Sequence, residues 1–494
     1  KQYQEWQGSI MHYAAVSPVF NAFELTIRKT TAGLVAPNGE DANFCIQCHS
    51  PMGVFKNELP NFVNSEQARA ARDSLSPVSL EGVSCDFCHT VTGPNLEKSL
   101  LGDGIANMSL AFGPKDEKVG PLDDAAPSAY HSSTDSAFLQ SANFCGGCHD
   151  VRIPTPDQVT GEPFQRLENL FSEWQQGPYS SADNPFGKVV RCQDCHMSKY
   201  PMTEPGNFPE TVVGFGSGLL PRKHAIHAFT AVSIPLVEDA RFPRGDTEDK
   251  DEFDFPLGQQ QRREQMLRAA CTLTLEGTPD ALSADSDVIP IHVVVTNVGA
   301  GHRVPSGFSQ ERQLWVELVV RDDVGVIYES GYLHDHAHPE TGEMAPDGLL
   351  HDEDLEDRHF EVDLATLDTV YEPGPDADQR PAVNLGITNF QNAFIRFRPD
   401  GSPEIVINPL FADTMDNSRS LDMLTPKDAK YDVPMPSRAI VGDIKVTARL
   451  RYRSFPPEFL RILAMREPQL VSEKTIDMNT IVDMAEASAT ISVR

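Results

Sequence analysis

The sequence predicts an α+β protein: a loop-rich N-terminal part built of short helices, followed by a mainly β part. Three observations carry the prediction. Eight of the nine cysteines lie before residue 196, at close intervals and among many Pro and Gly. Long β-branched runs begin only after residue 287. Between the two the chain turns acidic and proline-containing, around residues 238–256. The division read from this is 1–235, an acidic linker 236–262, and a β domain 263–494. At 494 residues, two or three domains are the expectation.

Composition narrows the partners. The chain is 40% hydrophobic and holds no apolar run near the roughly 20 residues that a membrane span needs. A net charge of −31 repels phosphate backbones and anionic lipid alike, so nucleic acid is not an expected partner. Most of the acidity is in the second part: residues 1–235 carry −9 and the remainder −22.

The cysteines fall in four CxxC pairs, Cys45/Cys48, Cys85/Cys88, Cys145/Cys148 and Cys192/Cys195, each followed at once by a histidine: His49, His89, His149 and His196. With 15 histidines in the chain, a fourfold coincidence has a chance of about one in a million, which disfavours unrelated zinc or redox CxxC pairs. Two cysteines three apart on one helical turn can each form a thioether to the same porphyrin, and the next residue then points at the iron. Four c-type haems are therefore expected, with His49, His89, His149 and His196 as proximal ligands. Two four-thiolate zinc sites, the competing explanation, leave all four histidines without a role. The ninth cysteine, Cys271, reads as a small buried hydrophobe.

Intervals of 40, 60 and 47 residues between motifs are too short for a separate domain per haem, so the haems are expected to share one core. Haem attachment of this kind belongs outside the cytoplasmic membrane, which predicts an exported protein, periplasmic or extracellular, whose leader has been removed from the polar start Lys1-Gln-Tyr-Gln-Glu-Trp.

Taken in order, Gln4–Phe23 has apolar Trp6, Ile10, Tyr13, Ala14 and Val16 at near-helical spacing, and Ser65–Asp73 reads as an exposed helix. Strands are expected at Val288–Thr296, Leu314–Val320 and Ile444–Tyr452, a hairpin at Arg321–Tyr328 and a closing strand at Ala489–Arg494. Together they predict a sandwich of roughly immunoglobulin type. One helix is inserted at Pro456–Met465, where proline suits a first turn.

Purely electron-carrying haems need a sixth ligand, because an open position admits small molecules to the iron. His12 on the first helix, His131 ahead of Cys145, and one of His224 and His227 after the last motif are candidates. His302 is the fourth, in the Gly-rich loop Asn297-Val-Gly-Ala-Gly-His-Arg-Val-Pro-Ser-Gly, which also reads as a plain interstrand turn. His334, His336 and His338 alternate, as for a divalent metal on a strand face or a solvated loop. Methionine is the competing ligand type, and Met52, Met108, Met197 and Met202 lie in the haem region. Histidine ranks ahead of it, since Met197 adjoins a proximal ligand.

On these motifs, on Trp6, Ser9 and His12, on Tyr130-His131 ahead of Phe144-Cys-Gly-Gly-Cys-His, and on His227-Ala-Phe, the first 235 residues resemble a family of multihaem c-type cytochromes. That family includes the tetrahaem electron carrier of nitrifying bacteria and filament-forming extracellular tetrahaem cytochromes. Gly301-His302-Arg-Val-Pro-Ser-Gly is similar to a segment of larger exported multihaem cytochromes, which implies a place near a haem. The resemblance implies single-electron relay through mostly bis-histidine haems, with redox proteins or other copies of the chain as partners. In its filament form it implies end-to-end assembly, with His12 crossing to a neighbouring copy or folding back on its own domain. The alternative is an oxidoreductase in which one open haem acts on a small nitrogen or sulfur compound. A third reading makes the acidic β domain a docking module for basic partners.

Overall fold

The computed structural model describes residues 1–30, 44–56, 58, 75–125, 128–212, 221–242, 249–251, 254–331, 333–337, 344–350, 359–363, 368–372 and 388–494. The N-terminal run read as one helix is broken into α1 (Gln2–Gln7), α2 (Ile10–Tyr13), a 3-10 turn (Ala14–Val16) and α3 (Pro18–Thr30). Local chemistry explains the breaks. Gly8 ends α1, the Ser9 hydroxyl accepts from the His12 amide to start α2, and Pro18 can only open a helix. Ser65–Asp73 lies outside the described residues.

Each CxxCH motif lies on or at the end of a short helix, the third running on past its helix as a turn. The helices are Ile46–His49, Cys85–Cys88, Ala142–Gly146 and Cys192–His196. Ser84 caps the second through the Phe87 amide, and at the start of the fourth the Asp194 carboxylate accepts from the Arg191 amide and guanidinium. In the first three motifs the histidine amide donates to the carbonyl of the first cysteine, 3.4, 3.0 and 2.8 Å away.

The motifs share packing. Val83, Phe87, Val91, Met108 and Leu110 form one buried cluster against which Cys48, Cys88 and Cys148 are packed. The two glycines inside Cys145-Gly-Gly-Cys148 are needed for this approach. A Cβ on Gly146 would lie 2.6 Å from the Phe171 ring and one on Gly147 2.6 Å from the Leu110 side chain. Above this helix run Ala106, Asn107 and Met108, all with positive φ (69°, 51° and 59°). Such backbone costs about 1–2 kcal/mol per non-glycine residue. Their amides are compensated by the carbonyls of Gly146, Asp150 and Gly147 at 2.9, 3.3 and 2.7 Å.

The chain is α+β and divides into two units. One comprises Lys1–Asp157, Gly161–Met266 and Leu460–Met478, the other Gln158–Thr160, Leu267–Phe459 and Asn479–Arg494. This differs from the division read in the sequence in two places. The described part of the acidic 236–262 segment belongs to the first unit and buries Phe242 and Phe255, so side chains there have a core to enter. Leu460–Met478 also belongs to the first unit, where Leu470 packs on Leu25 and Ile46. The helix that begins it, Pro457–Arg466, was expected at 456–465.

In the second unit the expected strands form at Val288–Asn297, Gln313–Arg321, Ile444–Arg453 and Val482–Val493. The last three stand side by side in a six-stranded sheet, and Val288–Asn297 is central in a three-stranded one. The hairpin pairs Val320 with Tyr328 and Arg321 with Val326. A five-stranded sheet built between His359 and Asp416 was not read in the sequence. Cys271 is buried and free, as expected, and burial pushes its thiol up. No helix among the described residues is long and apolar enough to cross a membrane.

Candidate haem sites

The four motifs meet through their cysteines. The Cys48 thiol lies against Cys148, and that contact together with burial pushes it up. Cys145 lies against Cys192, and Cys88 is close enough for its charge to act on Cys145. The third motif therefore adjoins all three others. Burial holds the Cys88 and Cys195 thiols up at about 12. Among the described residues no three His, Cys, Asp or Glu side chains converge as they would around zinc.

The motif histidines are half-buried, and three of them are held toward the neutral form. Burial lowers His49 and His149 to about 4 and lowers His196 as well. Neutral imidazole is the form that binds a metal. His49 lies face to face with Phe20, ring centres 3.7 Å apart and planes 1° apart, which fixes the plane of the imidazole. His89 Nδ1 is 2.7 Å from the Val119 carbonyl oxygen, and His196 Nδ1 is 2.7 Å from that of Thr230. A carbonyl carries no proton, so Nδ1–H donates and Nε2 keeps its lone pair for a metal.

One of the candidate histidines lies close to a motif histidine. The rings of His89 and His227 have centres 6.4 Å apart and planes 25° apart. Two imidazoles sharing one metal, each nitrogen about 2 Å from it and each ring centre ~1.1 Å further back, have centres about 6.2 Å apart. The separation of the pair matches that of two imidazoles on one metal. His227 Nδ1 lies 3.0 Å from the Ala225 carbonyl, its amide donates to Glu5 Oε2 at 2.8 Å, and burial lowers the ring to about 4.

The other candidates are placed differently. His224 is only half-buried as a residue, yet both its ring nitrogens are enclosed without a well-formed hydrogen bond among the described residues, with the Pro209 and Arg222 carbonyls nearby as weak acceptors. His12 is 6% exposed and lies between Trp6 and Phe242, ring centres 4.2 and 4.6 Å away, with Nδ1 2.9 Å from the Gln7 carbonyl. It is thus enclosed in its own chain. His131 lies on a surface turn next to Tyr130, which is 92% exposed, and its Nδ1 meets the Ser132 carbonyl. Ser132–Asp135 pairs in parallel with Glu117–Gly120, the strand whose Val119 holds His89. His302, in the second unit, has Nδ1 2.8 Å from the Arg303 carbonyl, and Asn297 ties its loop. His334 and His336 lie on the strand Leu333–Ala337, but their side chains and His338 are outside the described residues. Of the methionines, Met108 has its sulfur 3.8 Å from Cys148 Sγ, Met52 packs on the shared cluster, and Met202 is exposed.

Sequence reading missed Glu5, which anchors the segment bearing His227, and the carbonyls of Val119 and Thr230, which set the ring tautomers. Backbone acceptors leave no mark in a sequence, and Glu5 reads as an ordinary helix-surface acid.

The fold is similar to that of a solved multihaem cytochrome. That structure is the penta-heme cytochrome c552 from Thermochromatium tepidum, with a TM-score of 0.53 at 17% identity over 99% of this chain and 95% of that one. The likeness spans the β region as well as the 235 residues on which the resemblance rested, and the neighbour is penta-heme whereas this chain has four CxxCH motifs. No protein-family model and no curated protein matches the chain.

Proposed function

We propose that the protein is an exported electron carrier, periplasmic or extracellular, that relays single electrons through four covalently attached c-type haems, mostly with two histidine ligands. The observation that carries this reading is the His89–His227 pair, facing each other beside a CxxC motif at the spacing two axial ligands require. Bound haem supplies one-electron exchange between ferric and ferrous iron. The chain's own residues attach it at Cys45 and Cys48, Cys85 and Cys88, Cys145 and Cys148, and Cys192 and Cys195. They also hold the imidazoles neutral and correctly turned, and close the iron to small molecules. With one cysteine outside the motifs, the chain has no second pair for a fifth two-thioether attachment.

His12, His131 and His302 remain distal candidates for the other irons, with His224 beside the pair already formed. The second unit is read as a sandwich of immunoglobulin type whose acidity favours basic redox partners. Membership of the tetrahaem, filament-forming group is the narrower form of the reading. With His12 enclosed, His131 beside exposed Tyr130 is the residue placed to meet another copy.

Intact mass under denaturing conditions tests the haem count: the 54.4 kDa polypeptide should gain four haem masses. EPR of the oxidised protein, repeated after reduction under carbon monoxide, tests the relay. All-low-spin haem with no carbon monoxide adduct supports it, and one high-spin iron that binds carbon monoxide makes the protein an oxidoreductase instead.

A further inference from the structure

Beside His227 lies a group of buried polar atoms that the protein leaves unpaired. The helix Gln259–Ala270 opens with Gln259 and Arg262, 8% and 7% exposed. Arg262 Nη1 donates to the carbonyls of Pro256 and Leu257 at 3.0 and 2.7 Å, but its Nε has no partner among the described residues. Neither end of the Gln259 amide has one, and the His224 nitrogens have no well-formed hydrogen bond, only the weak acceptors Pro209 and Arg222.

These groups are tied to the His227 segment from two sides. The Arg262 guanidinium lies over the Phe255 ring, 5.7 Å from its centre, and Phe255 packs with Ile226 and Ala228, the neighbours of His227. Gln259 Nε2 lies against Gly8, at the end of the helix whose Glu5 accepts from the His227 amide.

The polar balance identifies what is missing. Arg262 Nε–H, the Gln259 amide and one N–H of the neutral His224 ring are donors, and the first backbone N–H groups of the helix add to them. Glu5 Oε1 is also buried and unpaired, but its other oxygen is taken by His227 and no ion pair joins it to Arg262. Burial lowers Arg262 to about 10, with the Glu5 charge opposing this. A buried guanidinium N–H without an acceptor is costly, and a carboxylate offers an oxygen to the unpaired Nε–H of that planar fork.

We propose that Arg262, Gln259 and His224 bind a propionate carboxylate of the haem ligated by His89 and His227. This rests on the haem proposed at that pair and goes beyond it, since it assigns His224 to the periphery of the haem rather than to iron. By offsetting the carboxylate charge, Arg262 raises the reduction potential of that one haem and serves as a positioning residue for its edge.

The test uses the full haem-loaded protein and the variants Arg262→Gln, Arg262→Lys and Gln259→Met. Two quantities are read, the haem potentials by spectroelectrochemical titration and the propionate bending band by resonance Raman. In Arg262→Gln one of the four potentials should fall by about 59 mV or more, a tenfold change in its one-electron constant, and the other three should stay. Arg262→Lys should keep most of that potential while shifting the propionate band, and Gln259→Met should shift the band alone. Should Arg262→Gln fail to fold, the other two variants decide through the band. Unaltered potentials and bands in folded variants with four low-spin haems overturn the proposal and leave the cluster to ordered water. Failure of the underlying haem assignment is seen separately, as a His227→Ala protein whose EPR spectrum matches the parent.

Discussion

His227 faces His89 across 6.4 Å between ring centres, and the outer nitrogen of each ring sits at a backbone carbonyl, Ala225 for one and Val119 for the other. In both rings Nδ1 is thereby the donor and Nε2 keeps its lone pair. Sequence left His224 and His227 as alternatives; His227 lies beside His89, whereas His224 lies near Glu5.

Replacing His227 by alanine should turn one haem of four from low to high spin and open it to carbon monoxide. His224→Ala should leave all four low-spin. EPR and visible spectra of the two variants check this, and the assignment fails if the effects are exchanged.

Acid should release the same ligand. His227 is lowered by burial to about 4, against an ordinary value of about 6.5. Between these values the unfolded chain takes up the proton and the folded one does not. The stabilisation is therefore complete above about pH 6.5 and is lost as the pH falls through 4. His49 and His149, also lowered to about 4, act in the same direction. A pH titration of the low-spin spectrum should show His227 leaving first, since His49, His89, His149 and His196 adjoin covalently attached cysteines. Loss of low-spin haem on raising the pH from 6.5 to 8 would contradict the sign.

Gly147→Ala should destabilise the haem unit by about 1–3 kcal/mol, the usual cost of overpacking, because its Cβ would meet Leu110 at 2.6 Å. Gly146→Ala should do the same against Phe171. Denaturant melts are the measurement. Gly161→Ala is a poor control because φ is +74° there, whereas Gly120, which has nothing within 4 Å and an ordinary φ, should tolerate alanine with little change.

His12→Ala should lower stability without altering size in solution, since the ring is enclosed between Trp6 and Phe242. If copies associate end to end, His131→Ala should weaken that association instead. Light scattering together with electron microscopy of both variants reads the difference. A parent protein that stays monomeric with every haem ligated from its own chain ends the filament reading.

What was legible in the sequence is local. CxxCH places two cysteines and a histidine on one helical turn, and that turn forms at all four motifs because its bonds run only three or four residues along the chain. The strands Val288–Asn297 and Ile444–Arg453 were equally plain, since alternation of side chains is a property of the strand itself. Tertiary structure alone decided that Phe242 and Phe255 draw the acidic segment into the first unit and that Leu470 returns to it. It alone placed His227 beside His89. The physical reason is distance along the chain. A thioether site is complete within five residues, whereas an opposing ligand, its Val119 and Ala225 carbonyls and its Glu5 anchor come from remote segments. Only the packing of those segments brings them together.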